Sequence, residues 1–592
     1  MSTKKPIIAI RPIIDGRRRG VRESLEEQTM QMAKTAAALI SENLKYTDGT
    51  PVQTIVADRT IGRAGESQKV REQFSPFNVC AELTVTPCWD YVTEVIDMNP
   101  AIQHAVWGLN ATERPGAVTL AAAMAAYAQF GIPAFGIYGE HVQDADDTRV
   151  PEEVREKILR FCRAAIAVGE MRNRNYLQIG SQCMGIAGSM VDRQFMRDYL
   201  GMGVESVDMI EMDRRITQGI FDPDEYAKAR AWVKDKLHKG EDIVNHKPEY
   251  ALSPEETEAQ WDYVTKMVLI GRDLMEGNPK LADLGFHEEA AGHNAIVAGF
   301  QGQRQWTDYK PNGDLLETFA NTTFDWNGPR EPLTLATEND VLNGITMLFN
   351  HLLTNRTQMF SDVRTFWSPE AVKRVTGCEL EGKAAAGFLD LRNSGATTLD
   401  ATGAMQDENG KPVMKEWWKV TEKDIQAALD ATTFHPSNKE YFRGGGFSTH
   451  FVTKGDMPLT MVRINLVAHS LPVIQFVEGW SVEIPDKARE IIENRTDPAW
   501  PTTFFTPRLT GKYPFDSAYN VMDAWGANHG AIGYGHFGAD LITLAAMLRI
   551  PVMMHNLSAG QIYRPRNWNV FGTDNLESAD YRACEAYGAL YR

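Results

Sequence analysis

Three stretches of the chain carry side chains able to do proton or metal chemistry. In E-P-L-T-L-A-T-E-N-D-V-L-N-G-I-T-M-L-F-N-H-L, Glu338 and Asp340 stand between a run that reads as a buried strand, Pro332 to Ala336, and a plainly helical run from Val341 onward. Both acids therefore fall at a strand's carboxyl end, where open α/β sheets place their ligands. Asp340 also suits the N-cap of the helix that follows, and this plainer role is the stronger reading for it; Glu is a poorer cap, which favours Glu338 for the site. In T-Q-M-F-S-D-V-R-T-F-W, Asp362 interrupts a strand-like run, although Asp is depleted in strands. A turn, a bulge or an ion pair with Arg364 would account for it, and so would a functional site. In A-W-G-A-N-H-G-A-I-G-Y-G-H-F-G-A-D, glycines flank Asn528 and His529, so the backbone can approach a ligand closely. His536 is the weaker of the two histidines, because one site rarely needs both.

Two carboxylates and one imidazole form an oxygen-rich set that favours Mg²⁺ or Mn²⁺ over zinc, which prefers more nitrogen and sulfur. The 24 residues from Glu338 to Asp362 and the 167 from there to His529 match no local metal motif, so spacing alone does not bring the three together.

The elements that must position these groups fall into three parts. The first ~170 residues alternate strands and helices in the manner of an α/β sandwich with a parallel sheet: Lys5–Arg11 and Val52–Ala57 read as strands, Ser24–Leu44 as an amphipathic helix, and Ala105 to Gly139 as one βαβ unit. A second α/β block begins near Tyr176. Its glycines 180, 185 and 188 mark a strand-to-helix turn; the G-x-G-x-x-G order is absent, which argues against a nicotinamide dehydrogenase. The polar helical stretch Asp222–Leu274 reads as the solvated outer layer of this block. From about Phe360 short strands with turn glycines predict a β-rich barrel or sandwich, closed by a helix at Phe537–Arg549 and a strand at Ile550–His555. The expected domains are residues 1–172, 173–355 with Glu338, and 356–592 with Asp362 and His529.

Composition limits the partners. In 592 residues, 61 Lys and Arg face 78 Asp and Glu, a formal charge of −17 that disfavours nucleic acid and anionic lipid. The opening run M-S-T-K-K-P-I-I-A-I is too short for a signal peptide's apolar region, and no stretch approaches the ~18 apolar residues of a membrane span, so a cytoplasmic protein is expected. Six scattered cysteines without a C-x-x-C pair read as reduced, mostly buried thiols.

Long strings at these same places, among them I-D-G-R-R-R-G-V-R-E-S, T-V-T-P-C-W, W-G-L-N-A-T-E-R-P-G-A-V, G-F-Q-G-Q-R-Q-W-T-D, A-T-E-N-D, D-V-R-T-F-W-S-P-E-A, E-Y-F-R-G-G-G and W-G-A-N-H-G, resemble the L-fucose isomerase family nearly end to end. The resemblance implies two α/β domains and a β-rich C-terminal domain, a homohexamer with sites shared between subunits, and a ketol isomerase acting on L-fucose and D-arabinose through an ene-diol. It implies Mn²⁺ on Glu338, Asp362 and His529, with the two carboxylates as the acid/base pair. It implies sugar contacts by Arg17, Trp89, Gln301, Ser394, Tyr441 and Asn528, Ser394 lying in a more variable stretch than the others. A non-catalytic sugar binder would need no paired acids; a metal-dependent aldolase or hydrolase could use the same triad but would yield a cleavage product.

Overall fold

The computed structural model describes residues 4–144, 147, 149–512, 516–557 and 579–592. Strands β1 (Ile7–Pro12), β2 (Thr54–Val56), β3 (Val79–Thr86), β4 (Gln103–Gly108) and β5 (Ala134–Ile137) form a five-stranded parallel sheet in the order β2-β1-β3-β4-β5. Apart from the half-buried edge strand β2, the strands are short runs largely buried on both faces, as parallel strands require. The order reverses direction between β1 and β3, so the crevice for a ligand lies between the loops leaving those two strands. Arg17 follows β1 and Trp89 follows β3.

A second parallel sheet contains β6 (Asn175–Ile179), β7 (Gly203–Val207), β8 (Ala295–Phe300) and, after the small hairpin β9 (Phe324–Asp325) and β10 (Gly328–Pro329), β11 (Leu335–Ala336), in the order β11-β8-β6-β7. Two expectations need correction here. The strand anticipated over Pro332–Ala336 pairs only at Leu335 and Ala336, because Pro332 has no N–H to give and the amide of Leu333 bonds to the Ala320 carbonyl. The polar stretch read as an outer layer is two helices, Pro223–Lys236 and Pro254–Glu276, and the second is far from a solvated cover. It starts on a capping box of Ser253 and Glu256, with Glu255 and Glu256 in the first turn, and buries Trp261, Val264, Met267 and Leu274. Its apolar residues recur at helical spacing among the charges, and those charges mask the buried stripe.

The third part is a closed barrel. Strands β12 (Gln358–Trp367) and β13 (Phe388–Arg392), then, after the hairpin β14 (Thr433–Pro436) and β15 (Phe447–His450), strands β16 (Pro458–Asn465), β17 (Val473–Ser481), β18 (Thr502–Pro507) and β19 (His529–Tyr534) run β16-β19-β12-β13-β18-β17, and β17 pairs back to β16. All six contacts are antiparallel. Closure removes the unpaired edges an open sheet would leave; β20 (Val552–Met554) adds in parallel beside β17.

Between the second sheet and the barrel lies the helix Val341–Thr354, buried from Val341 to Leu353 on every side. A helix buried all round belongs in a core even with Asn343, Asn350 and His351 on it, and this one packs against strands of both units. No helix among the described residues is long and apolar enough to cross a membrane. The six cysteines are free thiols; all are buried except the half-buried Cys378.

Candidate active site

The carboxyl ends of β8 and β11 face one rim of the barrel. β11 stops at Ala336, and Thr337–Asn339 make a single tight turn in which Glu338 and Asn339 both take left-handed backbone, with φ of 58° and 48°. Such conformations cost on the order of 1 kcal/mol or more in a non-glycine residue and persist only where surroundings enforce them. The enforcement is visible. Asn339 Oδ1 accepts from the Tyr176 hydroxyl at 3.1 Å, and its Nδ2 donates to the Ser181 carbonyl at 3.1 Å. Gly299 on β8 makes room for this lock, since a Cβ there would come within 2.3 Å of Asn339 Oδ1.

Asp362 and His529 reach the same point from the barrel. They are direct cross-strand partners on β12 and β19, so the sheet's own register places their side chains on one face. His529 Nε2 lies 3.1 Å from Asp362 Oδ1 and 3.5 Å from Glu338 Oε2. The imidazole is 1% exposed and the Glu338 side chain 9%, whereas Asp362 is 30% exposed and so is the group that solvent reaches. Beyond Asp362 the ladder shifts register, and Arg364 lies 3.5 Å from the Asp362 carboxylate. The bulge, the ion pair and the site position all coexist at this residue.

Asp340 likewise does two things. One oxygen caps the helix, accepting from the Asn343 amide at 3.0 Å; the other meets His529 Nδ1 and Arg463 Nη1, each at 2.6 Å. Burial works against a charged carboxylate there, but Arg463 and the His529 bond hold Asp340 well below the usual carboxylate range. For His529 burial again opposes the charge, and the bonds to Asp340, Asp362 and Glu338 outweigh it, raising the imidazole well above its ordinary value. With Asp340 occupying Nδ1, the ring is oriented so that Nε2 is the nitrogen aimed at the two carboxylates, the arrangement by which outer carboxylates orient ligating histidines. Two carboxylates and an imidazole nitrogen suit a hard divalent cation. At present the groups touch one another directly, and among the described residues no three His, Cys, Asp or Glu stand at ion-holding separation. Seating a cation would require Glu338 and Asp362 to draw back from Nε2.

Three of the residues implied as sugar contacts adjoin this cluster. Asn528 Nδ2 lies 3.0 Å from His529 Nε2, and Ser394 Oγ accepts from Gln303 Nε2 at 2.6 Å. Tyr441 is half exposed; its ring centre is 6.0 Å from that of Trp500, over which Arg364 lies at 5.3 Å, so it extends the wall that starts at Asp362. Gln301 is buried, with Oε1 accepting from the Ser181 amide at 2.8 Å and Nε2 donating to Gln305 at 2.8 Å. Arg17 and Trp89 stand apart, at the crevice of the first sheet. Arg17 is 62% exposed and pairs with Asp15 at 2.5 Å; Trp89 is 43% exposed. Beside them Asp90 is fully buried, and neither carboxyl oxygen has a hydrogen-bond partner. The nearby hydroxyls of Thr86 and Thr119 are spent on the Cys88 carbonyl, at 2.8 and 3.0 Å, and burial pushes the Asp90 carboxyl up to about 7. His536 has a structural partner, the Gly479 carbonyl at 2.7 Å.

Residues that sequence reading passed over complete the site. Arg463 is a charge in the middle of a buried strand, the same anomaly that singled out Asp362. Gln303 bridges Glu338 and Ser394 from within G-F-Q-G-Q-R. Glu317, beneath Glu338, accepts from the Thr337 hydroxyl at 2.6 Å; burial and the Glu338 charge outweigh that bond and push it up to about 8.

Two parallel α/β sheets and a closed barrel bring a carboxylate pair against one oriented imidazole at a domain junction, a grouping chemically suited to acid–base work. Comparison with known proteins gives the family. Models of the first N-terminal, second N-terminal and C-terminal domains of L-fucose isomerase match residues 5–173, 174–355 and 391–555. L-fucose isomerases of Streptococcus pneumoniae strains 70585, CGSP14 and serotype 4 TIGR4 are each 61% identical over 587 residues, covering 99% of both chains. The chain belongs to the L-fucose isomerase family, and it is an isomerase.

Proposed function

We propose that this chain interconverts L-fucose with L-fuculose, and D-arabinose with D-ribulose, in the cytoplasm. The reading is carried by the meeting of Glu338, Asp362 and His529, from two domains, in a chain of this family. Moving a carbonyl from C1 to C2 needs a base to take the C2 proton and an acid to return one to C1, through an ene-diol. Glu338 and Asp362 are the two groups placed to do this, one sheltered and one reached by solvent. The same two carboxylates and His529 would hold Mn²⁺, which supplies Lewis-acid stabilisation for the negative charge that builds on the first two sugar oxygens. His529 serves as a ligand only, its ring fixed by Asp340. L-Fucose and D-arabinose share configuration at C2, C3 and C4, so a pocket that reads those centres through Gln301, Ser394, Tyr441 and Asn528 accepts both.

Arg17 and Trp89 enter this reading from a neighbouring subunit of a homohexamer: exposed groups at a switch-point crevice are available to a second chain's pocket. The direct test is a reducing-sugar assay with product chromatography, run on both sugars with Mn²⁺ added. Ketose product is expected. A cleavage product would indicate an aldolase or hydrolase, and sugar recovered unchanged despite saturable binding would indicate a binding protein.

A further inference from the structure

We infer that Gln303 is the positioning residue that decides which oxygen of Glu338 works in the site; the inference rests on the metal-dependent reading above. Gln303 leaves the carboxyl end of β8, where the second sheet reverses its strand order. A primary amide has two donor hydrogens in one plane. Here Nε2 directs one toward Glu338 Oε1 at 3.1 Å and the other toward Ser394 Oγ at 2.6 Å. With Oε1 engaged, Oε2 is the oxygen turned to His529, at 3.5 Å.

The restraint matters because Glu338 sits on left-handed backbone and its side chain leaves from an unusual direction. The backbone that carries Gln303 is itself held, its main-chain carbonyl accepting from the buried Cys183 thiol at 2.7 Å. The two glutamines of G-F-Q-G-Q-R thus divide the work. Gln301 fixes the loop at Ser181, and Gln303 fixes the carboxylate. A neutral donor suits the place: Lys or Arg would pair with Glu338 and compete with a cation, and Glu would repel it. Losing an outer hydrogen bond to a ligating group typically weakens metal binding about 10–100-fold.

The experiment compares Q303M, which keeps the bulk and loses the donor, with Q303A, which loses both. Mn²⁺ affinity is measured on chelator-stripped protein by electron paramagnetic resonance of the free ion, with circular dichroism to confirm the fold. Gln303 is only partly buried, so both variants should fold, and Q303A carries the test if Q303M does not. Both should bind Mn²⁺ about 10–100-fold more weakly than the parent, with S394A close to the parent because the bond to Glu338 survives. If Q303M matches the parent while Q303A fails, the side chain only fills space and the inference is overturned. If both match the parent it is overturned outright. A parent protein that binds no Mn²⁺ would overturn the metal reading and this inference together.

Discussion

The crevice of the first sheet and the junction of the second sheet with the barrel are built on the same topological rule and furnished in opposite ways. At the junction the charged groups answer one another: Glu338 by Gln303 and His529, His529 by Asp340 and Asp362, Asp340 by Arg463 and by a helix amide. At the crevice Arg17 and Trp89 project outward, and Asp90 is buried without a donor. A pocket whose groups satisfy one another is preorganised for chemistry. A surface whose groups point away is complete only with something else against it. Under the proposed reading the junction would carry the chemistry, and the crevice would complete a neighbouring subunit's pocket.

The hardest blow to that division would come at the junction. Glu338→Gln and Asp362→Asn should each cut turnover by about 10²-fold or more while leaving the fold intact, the usual lower range for losing acid–base catalysis. Chelator-stripped protein should lose activity and regain it best with Mn²⁺, and His529→Ala should act through metal content. Near-normal turnover in either carboxamide variant would take the chemistry away from this cluster.

The crevice is addressed by mixing. Arg17→Ala and Glu338→Gln assemblies should each be impaired, and hybrids made by unfolding and reassembling them together should recover part of the activity, since some pockets would draw both intact residues from different chains. Hybrids verified by mass spectrometry that show only the mean of the two parents would place Arg17 in its own subunit's site or outside it.

The smallest effect on turnover concerns Asp90, whose role is in stability. Its folded carboxyl keeps a proton up to about pH 7, whereas an unfolded Asp releases its proton near pH 4. Between those values the folded state binds more protons, so its stability falls as pH rises from about 4 to about 7 and stays lowered above. Asp90→Asn abolishes this titration. Relative to the parent it should gain on the order of 4 kcal/mol at pH 8 and nothing at pH 4. Denaturant melts of the first domain's transition at the two pH values would measure it, and an equal shift at both would mean that Asp90 finds a partner.

Much of this was legible in residue types, for reasons that differ from place to place. Alternating apolar runs and glycine-bounded segments marked the two sheets and the barrel because strand burial writes itself into composition. Asp362 was conspicuous as an acid in a strand, yet Arg463 raised the same signal and is answered by Asp340 from a distant helix end, a pairing no local pattern could express. Asp340 read as a cap and is one, but a single carboxylate has two oxygens, and the second is spent on His529. The length of β11 depended on where the Leu333 amide found its acceptor, a contact with Ala320 made only in the folded chain.

The pairing of Asp362 with His529 across β12 and β19 carries one more consequence. Two of the three groups at the centre are spaced by a rung of the barrel's hydrogen-bond ladder, not by the chain that joins them. Insertions or deletions in the loops between β12 and β19 would leave that rung untouched as long as the barrel closes in register. A slip of two residues along the same ladder would pull the pair apart by about 7 Å, with not one amino acid changed. The centre is thus indifferent to loop length and intolerant of misalignment, so homologues can trim or extend their surfaces freely while the rung between these two strands stays fixed.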